Sequence, residues 1–197
     1  RRVLFRSTKI AQMVYDDIHA DDDETIVNGL TIMIDKVDAP KFRDIFMRIR
    51  PLFYNFLLCN SGEHRNEIID LTMEFIRSMD LMEPERYIKH CLESDKHFIP
   101  ILNQLLEDTE TTEEQKKYAL FTVKSMTQYP QYAGAWTATM VPVMDQYNSV
   151  TENRHMAAYI LSKMINLTKE NQISFIKNDG FQKVSCVLEN PSERDIE

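Results

Sequence analysis

FIPILNQLLEDTETTEEQKKYALFTVKSM, residues 98–126, decides the fold. An apolar stripe at helical spacing opens behind Pro100, a polar acidic stretch follows from Glu107 to Glu114, and a second apolar stripe begins at Tyr118. That is a helix, a loop and a longer helix. The proline-opened stripe recurs as IRPLFYNFLL from Ile49, MVPVMDQYNS from Met140 and, degenerate, GFQKVSCVLE from Gly180. Pro51, Pro100, Pro142 and then Gln182 occupy the same place in each, at intervals of roughly 40 to 50 residues, the period of helical solenoids. A unit of that size cannot bury its apolar face alone and must stack on neighbours. The expected product is a rod with a long groove, a shape suited to binding other proteins.

The second stripe repeats as well. Aligning LTMEFIRSM (71–79) with YALFTVKSM (118–126) sets Ile76 on Val123, Ser78 on Ser125 and Met79 on Met126. The pattern returns in AAYILSKMINL from Ala157 and more loosely in IVNGLTIMIDKV from Ile26. Gly29, Ala119, Ala157 and Ala158 are small residues that allow adjacent helices to approach closely. Each unit reads as a proline-opened helix, an acidic loop, a longer helix and a short connecting helix. The expected fold is all-α, an armadillo-type right-handed α-solenoid of stacked three-helix repeats. Residues 8–197 hold about four repeats, with boundaries near residues 40, 84 and 130.

Composition fits a protein-interaction domain. With 43% hydrophobic residues in 197, the chain can bury a substantial core. Four glycines and 7 prolines leave little room for a phosphate-cradling loop or a turn-dense sandwich, and 11 methionines suit irregular helix packing. Cys59, Cys91 and Cys186 are odd in number, far apart and each within an apolar stripe, so they read as buried reduced thiols. No long uncharged apolar run is present to cross a membrane. RRVLFRS, residues 1–7, lacks an initiator methionine and looks like a translated sequencing adaptor, so the native chain is expected to begin upstream. Both ends look cut: Ile10, Met13 and Val14 open on an apolar note, and Arg194 to Glu197 fall where a groove helix should start. Exposed stacking faces, with self-association or lowered stability, are expected there.

Net charge is −8, and setting aside Arg1, Arg2 and Arg6 takes it to −11. Such a balance opposes direct binding to nucleic acid. The runs Asp21, Asp22, Asp23, Glu24 and Glu107–Glu114 precede apolar stripes, where carboxylates favour a helix N-terminus. The first lacks the glycine and distal glutamate of a calcium loop. His19, His64, His90, His97 and His155 are scattered. A zinc site drawn from His90, Cys91, Asp95 and His97 lacks paired ligand spacing, and the nucleophile, metalloprotease and phosphate-loop motifs are absent. The expectation is a non-catalytic chain with no cofactor and no metal.

At this point the residues resemble a family. FIPILNQLLEDTETTEEQKKYALFTVKSM is similar to the armadillo pattern, in which an I-P-x-L-V-x-L-L helix precedes an acidic loop and an A-L-x-x-L helix. DDETIVNGLTIMIDKVDAPKFRDIFMRIRPLFYNFL resembles the first repeat of the β-catenin and plakoglobin branch, through Val27 and Asn28, Met33 and the run ending at Arg48. GFQKVSCVL is similar to that branch's G-L-Q-K-M-V-x-L-L segment. The resemblance covers nearly the whole chain as the first four repeats, with a divergence like that of nematode members. It implies a scaffold in cell adhesion or Wnt-type transcriptional signalling, in cytoplasm and nucleus and at junctions. It also implies partners presenting extended or helical tails: cadherin-type, TCF-type and α-catenin.

Importin-like readers of basic peptides use a Trp and an Asn one turn apart on each groove helix. Here those places hold Glu74 with Ser78, Phe121 with Ser125, and Tyr159 with Lys163, while Trp136 lies in another helix. An importin-like role is disfavoured. Arg77, Lys124 and Lys163 recur near the ends of successive groove helices and could form a basic strip that grips a carboxylate-rich tail, although helix C-termini favour cations anyway. Phe121 and Tyr159 are candidate aromatic anchors, and Asn166 completes the candidate groove set. The alternative is an armadillo or HEAT-like regulatory module that binds a folded partner, such as a chaperone, through its edge or convex face.

Overall fold

The structure, a computed structural model, describes residues 2–39, 42, 56–57, 62–82, 84–94, 98–148 and 153–189. Among these residues every regular element is helical. The chain divides into two compact units, Arg1–Tyr87 and Ile88–Glu197. The expected stripe at Pro51 lies almost wholly outside the described residues, as do Cys59, Asp95 and His97.

In the first unit α1 (Arg2–Asp17) packs on α2 (Asp23–Lys36), and α2 on α3 (Arg65–Met82). The acidic run starts α2 as the sequence predicts. Asp22 is its N-cap and accepts a hydrogen bond from Thr25 N at 2.9 Å, while Asp23 and Glu24 fill the first turn. Ile26, Gly29, Leu30 and Met33, spaced i, i+3, i+4, i+7, form its buried stripe. A side chain at Gly29 would stand 2.9 Å from Asp17 Cβ, so glycine is what lets α1 lie this close to α2. On α3 the buried set is broader: Ile68, Ile69, Met73, Phe75, Ile76 and Met79. Each such side chain, fully buried, contributes about 1.5–3 kcal/mol of transfer free energy. Pro84 opens α4 (Pro84–Ser94), where its missing N–H has no intrahelical partner to lose.

The second unit is built from helix pairs. Helix α5 (Phe98–Glu107) packs on α6 (Glu113–Met126), and α8 (Met140–Asn148) packs on α9 (Asn153–Leu167). Between the pairs run the short turns Pro130–Tyr132 and Thr137–Thr139, flanking α7 (Ala133–Trp136). Helix α5 lies beside α8, and α6 beside α9. Two further helices follow, α10 (Lys169–Lys177) against α8 and α9, and α11 (Gly180–Glu189) against α8 and α10. The decisive stretch therefore folds as read: α5, a loop, then α6, started by a capping box in which Thr112 and Gln115 exchange hydrogen bonds of 3.2 and 2.9 Å.

What ties pair to pair is polar as well as apolar. Asn103 Nδ2 donates to Ala138 O at 3.2 Å, Gln146 Nε2 to Leu106 O at 2.9 Å, and Asn153 Nδ2 to Glu113 O at 3.1 Å and Glu113 Oε2 at 3.0 Å. The partners are 35, 40 and 40 residues apart, close to the repeat length read from the stripes. This packing is consistent with stacked helical repeats. Ala119 and Ala157, both fully buried, sit where the sequence asks for close approach.

One expectation is overturned in this unit. Cys91 is buried but Cys186 is exposed, and neither is in a disulfide. Helix α11 presses its inner side on α8 and α10, and the outer side of the GFQKVSCVL stripe, Cys186 included, remains in solvent.

Candidate protein-binding surface

Helix α9 shows solvent a row of residues one turn apart: His155, Tyr159, Ser162, Lys163 and Asn166 are all exposed. The spacing follows from the burial of Ala157, Ile160, Leu161 and Met164 on the opposite side. Tyr159 is 44% exposed despite its apolar neighbours in the sequence. Two ammonium groups flank its ring: Lys124 Nζ, from the last turn of α6, lies 5.2 Å from the centroid, and Lys163 Nζ, one turn on along α9, lies 5.5 Å away. Both distances fall in cation–π range, about 0.5–1 kcal/mol for an exposed pair. The row is held by hydrogen bonds of 2.7 Å from Ser162 Oγ to Tyr159 O and from Asn166 Nδ2 to Ser162 O.

Phe121 on α6 is half-buried one turn before Lys124, whereas Ser125 is buried. Ser125 is thus removed from the groove set, because α6 is covered on two sides, by α5 and α9. Glu74 and Arg77 are exposed and Ser78 is half-buried, all on α3 in the first unit. Of the expected basic strip, Lys124 and Lys163 are brought together, and Arg77 belongs to the other unit.

A feature the sequence reading missed adjoins this row. Beside α9 lies an open groove of about 510 Å³, lined by Ala158, Leu161, Ser162 and Ile165 of α9, Gln172, Phe175 and Ile176 of α10, Phe181 and Val184 of α11, and Tyr147 of α8. Phe175 and Phe181 meet edge to face with centroids 5.3 Å apart, and a side chain at Gly180 would strike the Phe175 ring. Ile176 is 59% and Phe181 67% exposed, an unusual state for large apolar residues grouped together. The available signal was ISFI, residues 173–176, which places apolar residues on more than one side of a short helix.

Chemically the surface offers two amines, an aromatic ring, an amide, a hydroxyl and an apolar trough. That set suits non-covalent capture of carboxylates and apolar side chains. Among the described residues no group of three or more His, Cys, Asp or Glu side chains could hold a metal ion, and no helix is long and apolar enough to cross a membrane. Set beside known proteins, the chain matches no protein-family model and no curated protein.

Proposed function

We propose that this chain is an armadillo-type α-solenoid acting as a non-catalytic protein-interaction scaffold, β-catenin-like, whose surface along α6 and α9 binds acidic tails of partner proteins. The observation that carries this reading is the pair of lysine ammonium groups around the exposed Tyr159 ring. Two cations converge on one aromatic platform within a chain of net charge −8, so local charge opposes global charge. A carboxylate-rich segment gains from both lysines while the ring supports its aliphatic stems. The ties between residues about 40 apart support the repeat reading, and the resemblance supports cadherin-type and TCF-type tails as ligands, in adhesion or Wnt-type signalling, in cytoplasm, nucleus or junctions.

Titration of the protein with acidic cadherin-type and TCF-type tail peptides at low and high salt tests the reading. Binding should weaken with salt, and Lys124→Glu with Lys163→Glu should lower affinity by about tenfold or more. Tyr159→Ala should weaken binding while Tyr159→Phe should not, since both ammonium groups lie within cation–π range of the ring centroid. Binding indifferent to salt and to the double charge reversal would instead favour the second reading, a module that docks a folded partner by its edge, for which exposed Ile173, Ile176 and Phe181 supply the apolar surface.

A further inference from the structure

We propose that the bond between Asp179 and Gly180, at the turn from α10 into α11, is a site of isoaspartate formation, a slow covalent change that resets the α11 wall of the groove. The proposal stands on the geometry of this turn and is independent of the lysine pair.

The turn gathers what the reaction needs. Helix α10 closes with Asn178 N donating to Ser174 O at 3.1 Å and Asp179 N to Ile176 O at 3.2 Å, a closure whose left-handed place usually falls to glycine. Here it falls to Asp179, with φ of 57°, the one non-glycine residue with positive φ among the described residues. Its Cβ crowds the carbonyl that follows. The glycine comes one position later because it is needed there: a side chain at Gly180 would strike the Phe175 ring. Asp179 is exposed, so water reaches its carboxyl. Gly180 is the first residue of α11, and the first N–H groups of a helix have no intrahelical acceptor. With no side chain on Gly180, nothing on that residue obstructs the approach of its nitrogen to Asp179 Cγ.

In the reaction Gly180 N bonds to Asp179 Cγ and gives up its proton, while the carboxyl hydroxyl breaks from Cγ and leaves with that proton as water. The product is a succinimide ring, and water adds back at either of its carbonyls. Breaking the bond from Cγ to nitrogen restores aspartate. Breaking the bond from the backbone carbonyl carbon to nitrogen gives isoaspartate, in which the chain runs through Cβ and Cγ and the former carbonyl is a free carboxylate. No oxidant or second substrate takes part. The product adds a methylene to the turn, relieves the crowding at Asp179 and takes out of the main chain the oxygen that accepts Lys183 N at 3.0 Å in the first turn of α11. Phe181 and Val184, groove-wall residues of α11, ride on that turn. Place decides more than residue type. Asn28–Gly29 is the intrinsically faster kind of pair, yet it lies inside α2, where Gly29 N is held in the helical ladder and Gly29 is buried against α1. Asn178 is held too: its amide donates to Ser174 O at 2.7 Å, and the nitrogen that would attack it is bonded to Ile176 O.

Ageing the full chain at physiological temperature, folded and in urea, tests this. Peptide maps with electron-transfer fragmentation locate the product, and methyl uptake from S-adenosylmethionine by an isoaspartyl methyltransferase measures it. Isoaspartate at 179 should form about as fast in the folded chain as in urea, whereas conversion at Asn28 should slow by about tenfold or more on folding. Asp179→Gly, which suits the left-handed position, should abolish the signal at this site, with circular dichroism checking that the variant folds. Aged protein enriched in the product should exchange its Lys183 amide faster than fresh protein. Conversion at 179 that folding slows as much as conversion at Asn28 overturns the proposal, as does a signal that survives Asp179→Gly. Unchanged Lys183 exchange in protein that carries isoaspartate at 179 overturns the effect on α11.

Discussion

His64 shows how a single side chain senses its surroundings. Its Nδ1 lies 2.9 Å from Glu67 Oε2, and that hydrogen bond, helped by the negative charges of Glu67, Glu63 and Asp23, raises the imidazole above its ordinary 6.5. Because the folded-state value exceeds the unfolded one, the stabilisation is complete below the unfolded value and fades as pH rises through the folded one. The imidazole is exposed, so salt weakens the effect. An NMR titration should place His64 above free histidine, and Glu67→Gln should bring it back; equal midpoints in the two proteins would refute the pairing. Residue identities alone went a fair way here. The acidic runs Asp21–Glu24 and Glu107–Glu114 were legible as helix starts, and α2 and α6 do begin within them. The sides that Tyr159, Ser125 and Cys186 face were not legible, because exposure depends on which helices cover α6, α9 and α11, and a stripe on one helix does not say how many neighbours it has.

At the scale of elements, the junction of α9 and α10 depends on one fully buried amide. Asn171 Nδ2 donates to Met164 O at 2.7 Å, Asn171 N donates to Thr168 Oγ1 at 3.1 Å, and Thr137 Oγ1 donates to Asn171 Oδ1 at 2.5 Å. The side chain therefore satisfies the end of α9, while its backbone is capped at the start of α10 and the turn Thr137–Thr139 leans on it. Asn171→Leu keeps the branched shape but orphans the Met164 carbonyl, whereas Thr137 Oγ1 keeps Ala133 O at 2.9 Å, and should cost about 1–3 kcal/mol of stability, read as a drop in the thermal midpoint. An unchanged midpoint would mean that water or a shifted backbone replaces the amide. The helices of the second unit were legible as elements: the stripes at 98, 118, 140, 157 and 180 each became one, because helical spacing and proline or cap signals agree there. The groove was not legible. The apolar residues of ISFI and GFQKV look like core in a line of letters, and only the packing leaves Ile176 and Phe181 outside.

For the molecule as a whole, the division at Tyr87 and Ile88 bears on how it unfolds. If each unit opens as its own cooperative block, Gln146→Ala, which strips the donor from Leu106 O, should speed amide exchange through α5–α9 and leave the buried amides of α2 and α3 as protected as before. Equal loss of protection in α2 and α3 would make the chain one block. The amides at Asn103, Gln146 and Asn153 have a consequence beyond stability. Apolar contact is indifferent to direction and tolerates sliding, whereas an amide aimed at one carbonyl does not: a slip of one helical turn, about 5.4 Å, would leave each donor facing the wrong atom. The three bonds thereby pin the junction between the α5–α6 pair and the α8–α9 pair at three points, each joining residues 35 or 40 apart. Its apolar filling is then free to drift in sequence while the register of the two helix pairs stays constant.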